Sequence, residues 1–418
     1  MFRDARSGQQ RNLGNCLFLG AALGLAFQWF FVHARGPVSP PWTPLLPGLA
    51  IFASAFLLSW AAEVAQLDVP PALALSVLAL VAVLPEYAVD IYFAWTAGKD
   101  PSYIPYASAN MTGSNRLLIG LGWPLVVLVY GIRTRHHRVK LQKRLELETS
   151  VLLAATLYAF LIPLKRTLSV VDAAVFMGLY AWYFSRVMKG DVEKQELEEG
   201  PAGMIGAWPP LWRRLTALFL FTLSAVTIYF SAKPFADGLL EAGRQWGIDD
   251  YILVQWLAPV ASEAPEFIVA LIFAWRAFAT ASFNTLLSSK VNQWTLLVGM
   301  LPLAFALSSG SFHPMPLDAR QTEEIFLTAA QSLFAVVLLS DFEFSLRDGL
   351  WLFVLFAAQA FYPMVEKAAG VDSLHVRFGF AWAYLALSAV TLLASRRKRS
   401  NMAGLALAFA GRSGTRRP

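Results

Sequence analysis

The chain is cut into apolar runs, each about as long as a bilayer is thick, by short polar breaks. About 20 apolar residues in a helix cross a hydrocarbon core. We expect twelve such spans, near 13–33, 45–66, 71–96, 103–130, 149–164, 168–187, 211–232, 251–276, 283–306, 324–341, 349–364 and 378–395, with 149–164 the shortest. No polar segment is long enough to fold alone. Only 15% of residues are charged and 57% are hydrophobic, whereas a soluble domain carries about 25% charge. The expected class is an all-α polytopic membrane protein with the lipid bilayer as its main surroundings.

Basic clusters orient the spans. RTRHHRVKLQKR at 133–144 is the strongest; Arg213 and Arg214 precede the seventh span, RRKR at 396–399 follows the last, and Arg3, Arg6 and Arg11 precede the first. With twelve spans all four clusters fall on one side, which the positive-inside rule makes the cytoplasm. Both termini are then cytoplasmic, and a plasma (inner) membrane location is expected. The net charge of +6 does not suggest nucleic acid, because the basic residues lie in short loops between spans. The first run has a basic start, so a cleaved leader competes with a retained helix; its length and aromatic content favour the helix. Cys16 stands alone, which excludes a disulfide framework. His136 and His137 lie in the basic loop, and His33, His313 and His375 in or near external loops. No zinc-type spacing, P-loop or GxSxG occurs, so hydrolase chemistry lacks support and no cofactor is expected.

The chain carries an internal repeat. VLPEYAVDIYFAW at 83–95 returns as EAPEFIVALIFAW at 263–275, with Pro85, Glu86, Val89, Phe93, Ala94 and Trp95 matching Pro265, Glu266, Val269, Phe273, Ala274 and Trp275 at an offset of 180. The orientation above sends the two segments through the membrane in opposite senses, the mark of inverted-topology transporters. The expected organisation is an N-terminal tail and extra helix over 1–44, a first repeat over 45–187 (motif 83–118), a cytoplasmic linker over 188–210, a second repeat over 211–365 (motif 262–299), and an extra helix with a basic tail over 366–418. The fold is thus five plus five helices with one extra at each end.

The polar residues inside the spans are the candidate site. A charge at a helix centre costs about 2.5–3.5 kcal/mol on insertion scales. Glu86 and Asp90 are four apart and Glu263 and Glu266 three apart, so each pair shares a helix face. The four carboxylates are expected to converge, and could not all stay ionised without cations or protons. Pro85 and Pro265 each precede a glutamate, where a kink frees carbonyl oxygens beside a carboxylate and favours a hard cation. A second polar helix follows each acidic one: SANMTGSNR at 108–116 offers Asn110, Thr112, Ser114 and Asn115, and LLSSKVNQW at 286–294 offers Ser288, Ser289, Asn292 and Gln293. Arg116 and Lys290 are expected to compensate the acids, and Lys290 could stand in the place of a metal ion. The small residues Gly113, Ser114 and Ser288 also suit close helix packing. Asp172, near a span start, reads as interfacial.

These motifs resemble the sodium/calcium exchanger superfamily. Pro85-Glu86 and Pro265-Glu266 are similar to its paired Pro-Glu motifs, Gly113-Ser114-Asn115 to the start of its G-S-N-x-x-N motif, and Ser289 to that motif's serine in the other half. The resemblance implies ten core helices in two inverted halves and Glu86 and Glu266 as Ca²⁺ or Na⁺ ligands. It implies antiport of Ca²⁺ or another cation against Na⁺ or H⁺ by alternating access at a midplane site, without enzyme chemistry. The chain departs from the motifs at Ala82 and Val83, at Ser262 and Glu263, at Leu118 and Gln293, and at Lys290. Missing Na⁺-coordinating oxygens and extra acids favour H⁺. The rival is a non-transporting member of the same fold, its acids neutralised by Lys290 and Arg116.

Overall fold

The computed structural model describes residues 2–33, 36, 41–68, 84–188, 200–369 and 376–409. The start of the third expected span, with Ala82 and Val83, residues 189–199 of the 188–210 linker, and His375 lie outside them. Among the described residues nine helical stretches are long and apolar enough to cross a membrane. They coincide with nine of the twelve expected spans. Of the other three, one starts in the undescribed stretch. The remaining two are present as the helices Val170–Val187 and Leu346–Ala369.

The chain forms two compact units, residues 1–92 with 185–265, and residues 93–184 with 266–418. Each draws on both halves of the sequence, so the packing units cut across the expected repeats. The boundary runs through both acidic helices.

The first unit is built on α1 (Phe2–His33), α2 (Trp42–Ala65), the start of α3 (Leu84–Ala97), a short α9 (Pro201–Gly206), α10 (Pro210–Trp246) and most of α11 (Asp250–Trp275). α2 and α10 pack along their lengths, and α1 joins them over a core of Ala22, Ala26, Phe56, Trp60, Leu220 and Leu223. Their approach depends on two glycines. A Cβ at Gly238 would sit 2.7 Å from Pro44 N, and one at Gly48 would sit 2.9 Å from the Phe235 ring. α10 outruns the expected span at 211–232. Its 37 residues span about 55 Å, more than a hydrocarbon core, and its second half carries Lys233, Asp237, Glu241 and Arg244. Gly247 ends it at φ 62°, a left-handed cap that glycine adopts freely.

The second unit holds two segments of the same construction. In one, α4 (Ile104–Leu117) runs into a π-helical stretch, Leu118–Gly122, then α5 (Trp123–Thr134). In the other, α12 (Ala279–Asn292) runs into Gln293–Leu297, also π-helical, then α13 (Val298–Ser309). Every boundary corresponds at an offset of 175. The offset falls from 180 because eight residues separate Trp95 from α4 and three separate Trp275 from α12. A π-stretch widens one turn of a helix and recurs at functional sites.

Around these pack α6 (Glu146–Ala159), α7 (Leu161–Lys165), α8 (Val170–Val187), α14 (Ala319–Leu339), α15 (Leu346–Ala369), α16 (Val376–Ala394) and α17 (Arg396–Phe409). α14 is buried along nearly its whole length and packs on α16, α6 and α4. Asp318 caps it: its Oδ1 accepts from Gln321 N at 2.8 Å, and Gln321 Oε1 accepts from Asp318 N. α16 shows Trp382, Val390 and Leu393 outward, the surface of a helix that faces lipid.

Two antiparallel ribbons tie loops together: β1 (Arg138–Lys140) pairs with β4 (Glu343–Ser345), and β2 (Thr167–Leu168) with β3 (Met315–Pro316). Glu343 joins β4 to Arg138 on β1 at 2.8 Å and to Arg397 on α17 at 3.0 Å. The Arg397 guanidinium, then Arg138, holds its carboxyl below the usual range. In the first unit Asp68, past the end of α2, accepts from Arg213 at 2.7 and 2.9 Å and from Arg214 at 2.9 Å. Arg213 holds that carboxyl down at about 2.

Candidate functional site

In the first unit, α3 places Glu86 and Asp90 one turn apart, and both are fully buried, as are Glu263 and Ser262 on α11. Pro85 falls in the first described turn of α3. Pro265 and Pro259, the latter missed in the sequence, sit inside α11. Proline lacks the N–H that would bond the carbonyl four residues back. Pro265 thus releases Ala261 O one turn before Glu266. Ser262 Oγ turns to the Ala258 carbonyl at 3.2 Å. Two residues beyond Asp90, Tyr92 donates to Asp237 at 2.8 Å and Lys233 meets the same carboxylate at 2.6 Å, a polar group on α10 that the sequence did not single out.

In the second unit, α4 is buried over nearly its whole length although it carries six polar residues: Ser108, Asn110, Thr112, Ser114, Asn115 and Arg116. Local bonds absorb part of this polarity. Thr112 Oγ1 donates to Ser108 O at 2.8 Å, and Asn115 Nδ2 to Met111 O at 2.8 Å. The second bond turns Asn115 Oδ1 outward from its helix. Lys290 of α12 meets it there: Nζ donates to Asn115 Oδ1 at 2.7 Å and to Asn115 O at 3.1 Å, and lies 4.6 Å from the Trp294 ring centre. Lys290 and Asn115 are equivalent positions in the two helices, so the repeat closes on itself here.

Arg116 points elsewhere. Its Nη2 meets Glu324 on α14 at 2.5 Å, with both side chains buried. Glu324 also accepts from Arg377 Nε of α16 at 2.9 Å. Gln331 donates to Arg116 O, and Gln359 to Gln331. The sequence expected Arg116 to compensate the acids of the Pro-Glu helices; Glu324 on α14 is an acid partner that the sequence did not single out. Glu324, Glu323, Arg377, Gln331 and Gln359 were missed. The available signal was the pair Glu323-Glu324 ahead of an apolar run, which reads as a span edge when α14 is started at 324 rather than 319.

Several polar atoms in this unit are buried with no hydrogen-bond partner among the described residues: Ser114 Oγ, Ser289 Oγ, Glu266 Oε2, and both Oε1 and Nε2 of Gln293. An unmade bond of this kind costs about 1–3 kcal/mol, so these atoms are suited to an ion, water or proton that enters. Asn292 is buried beside them in sequence. Among the described residues no group of three or more Asp, Glu, His or Cys side chains is gathered as a metal cage.

Asp172, in the first turn of α8, is fully buried. Tyr158 donates to it at 2.8 Å, Ser169 N at 2.6 Å and Ser169 Oγ at 2.7 Å, and Lys165 pairs with it. It fastens α8 to α6 and α7.

Twin helix–π–helix segments, each preceded by a helix with a Pro-Glu pair in a multi-pass helical protein, define a secondary membrane transporter built on a repeat. A family model described as sodium/calcium exchanger protein matches residues 43–189 and 216–365. The chain belongs to that family of cation antiporters, and is a transporter rather than an enzyme. The solved structure of the H⁺/Ca²⁺ exchanger CAX is 41% identical, with 95% of this chain and 99% of that chain covered and a TM-score of 0.86. Native YfkE is 14% identical over 83% of this chain and 98% of its own, with a TM-score of 0.59. The sodium-calcium exchanger NCX_Mj is 18% identical over 75% and 96%, with a TM-score of 0.51. These last two share the fold. No curated protein sequence matches the chain.

Proposed function

We propose that the protein exchanges Ca²⁺ for H⁺. The observation that carries this reading is the likeness to the H⁺/Ca²⁺ exchanger CAX over nearly the whole of both chains. Glu86 and Glu266 bind the transported cation and, in its absence, take up protons. Asp90 and Glu263 adjust the charge. Asn110, Ser114, Asn115, Ser289, Asn292 and Gln293 contribute neutral oxygens or hold those that do, and Pro85 and Pro265 open the helices beside the two glutamates. Burial supports the proton side of the exchange, since a carboxylate out of water favours its neutral form unless a cation is present.

The transport frame is twelve spans with two inverted five-helix repeats, 45–187 and 211–365, an extra helix at each end, and both termini in the cytoplasm. The ribbons support this orientation. β1 and β4 come from two loops that it places on the cytoplasmic side, and β2 and β3 from two that it places outside. Loops on opposite sides of a bilayer could not pair. The rival is a silent member of the same fold with its acids neutralised by Arg116 and Lys290.

The test is Ca²⁺ uptake into proteoliposomes under an imposed pH gradient, with and without Na⁺. Uptake should follow the proton gradient and persist without Na⁺. Glu86→Gln and Glu266→Gln should each lower it about a hundredfold or more, the loss of a charged ligand being worth about 3 kcal/mol. Uptake unchanged in both variants would refute the ligand assignment.

A further inference from the structure

We propose that Lys290 is a tethered monovalent cation, occupying a site that would otherwise take an alkali ion such as Na⁺, and that it frees the transporter from any need for one. The proposal concerns the cation requirement of the exchange above, but its main test is a binding measurement that stands without it.

The environment of Nζ is that of a coordinated cation. Two oxygens of one residue, Asn115 O and Oδ1, face it at 3.1 and 2.7 Å, and the Trp294 ring face lies 4.6 Å away. Oxygens and a ring face are the groups an ammonium shares with an alkali ion. The Asn115 amide is oriented for this, because its Nδ2 is already bound to Met111 O. Lys290 is fully buried and stands at the position equivalent to Asn115 in the other segment. An oxygen-bearing residue at one copy and a cation-bearing residue at the other make a ligand–cation pair from what would be two ligand positions. Gln293, one turn on, is fully buried with its amide oxygen lacking a partner among the described residues, and Ser289 Oγ beside Lys290 is in the same condition. Removing the lysine side chain would therefore leave the two Asn115 oxygens without their cation, with two more oxygens close in sequence.

Three variants test this in the full-length protein. Lys290→Ala opens the site, Lys290→Asn opens it and adds an oxygen, and Lys290→Met fills it with an uncharged chain of similar length. The primary readout is the thermal unfolding midpoint in detergent with NaCl, KCl, LiCl or choline chloride at one ionic strength. We expect Na⁺ or another alkali ion to raise the midpoint of Lys290→Ala or Lys290→Asn over choline, and to leave wild type and Lys290→Met unmoved. In proteoliposomes, Ca²⁺ uptake by Lys290→Ala should fall about tenfold in choline and recover with the alkali ion, while Lys290→Met should not recover. Should Lys290→Ala fail to fold, Lys290→Asn decides. No alkali-specific stabilisation in any variant that folds overturns the proposal, as does recovery of Lys290→Met. If wild type moves no Ca²⁺, the exchange reading fails while the unfolding result still decides the role of Lys290.

Discussion

Arg116 and Lys290 are both cations buried in one unit, on equivalent polar helices, and their partners separate them. Arg116 meets a carboxylate, so each partner holds the other's charge in a place where neither would stay alone. Removing the acid of such a pair costs about 3–5 kcal/mol, because the buried cation is stranded. Glu324→Gln should lower the unfolding midpoint strongly, and Glu324→Gln combined with Arg116→Met should recover part of the loss, read by denaturation in detergent. Gly120 is a second residue-scale constraint. It lies in the first π-stretch, where a Cβ would overlap the Phe356 ring and Cβ. Gly120→Ala should destabilise by about 1–3 kcal/mol, whereas the same change at Gly178, which has open space around it, should have little effect in the same assay. Proline in a span, paired acids and misplaced cations were all legible from the sequence. Their partners were not, because a hydrogen bond across 175 positions leaves no local pattern.

Among the elements, α16 matters more than its place near the end of the chain suggests. Sequence made it an addition outside the repeats. The structure has its Arg377 in the ion pair that holds Arg116. Arg377→Gln should loosen α16 from α14, seen in denaturation as a destabilisation of about 1.5–3 kcal/mol, the range for a charged hydrogen bond. The α2–α10 pair has its own electrostatic tie at Asp68. A carboxylate whose folded pKa is about 2, below its usual 3.8, adds stability that is full above pH 4 and lost as pH falls toward 2. Acid unfolding in that window should flatten in Asp68→Asn. The helix–π–helix segments show where element-level reading stopped. The spans at 103–130 and 283–306 were visible as apolar runs, but hydropathy does not register a change of backbone hydrogen bonding from i→i−4 to i→i−5.

At the scale of the whole molecule, orientation and packing pull the sequence in different ways. The basic loops predict that the loop before α4 faces outward and the loop before α12 inward. A cysteine at Lys99 should react with an impermeant reagent added outside intact cells, and one at Arg276 only after permeabilisation, in a Cys16→Ser background. Reaction of both from the same side would end the inverted arrangement. The charge pattern, the span count and the Pro-Glu repeat are properties of the sequence itself, because transfer of charge and of apolar surface between water and lipid depends on composition and length alone. Those terms determined a multi-pass helical transporter with a repeated acidic motif. Tertiary structure decided which polar group meets which. It assigned Arg116 to Glu324, Lys290 to Asn115 and Asp172 to a buried cluster, and it drew each compact unit from both halves of the chain. In the low dielectric of a helical interior a buried charge must find a partner, and the partner is chosen by the distances between helices, which no stretch of sequence contains.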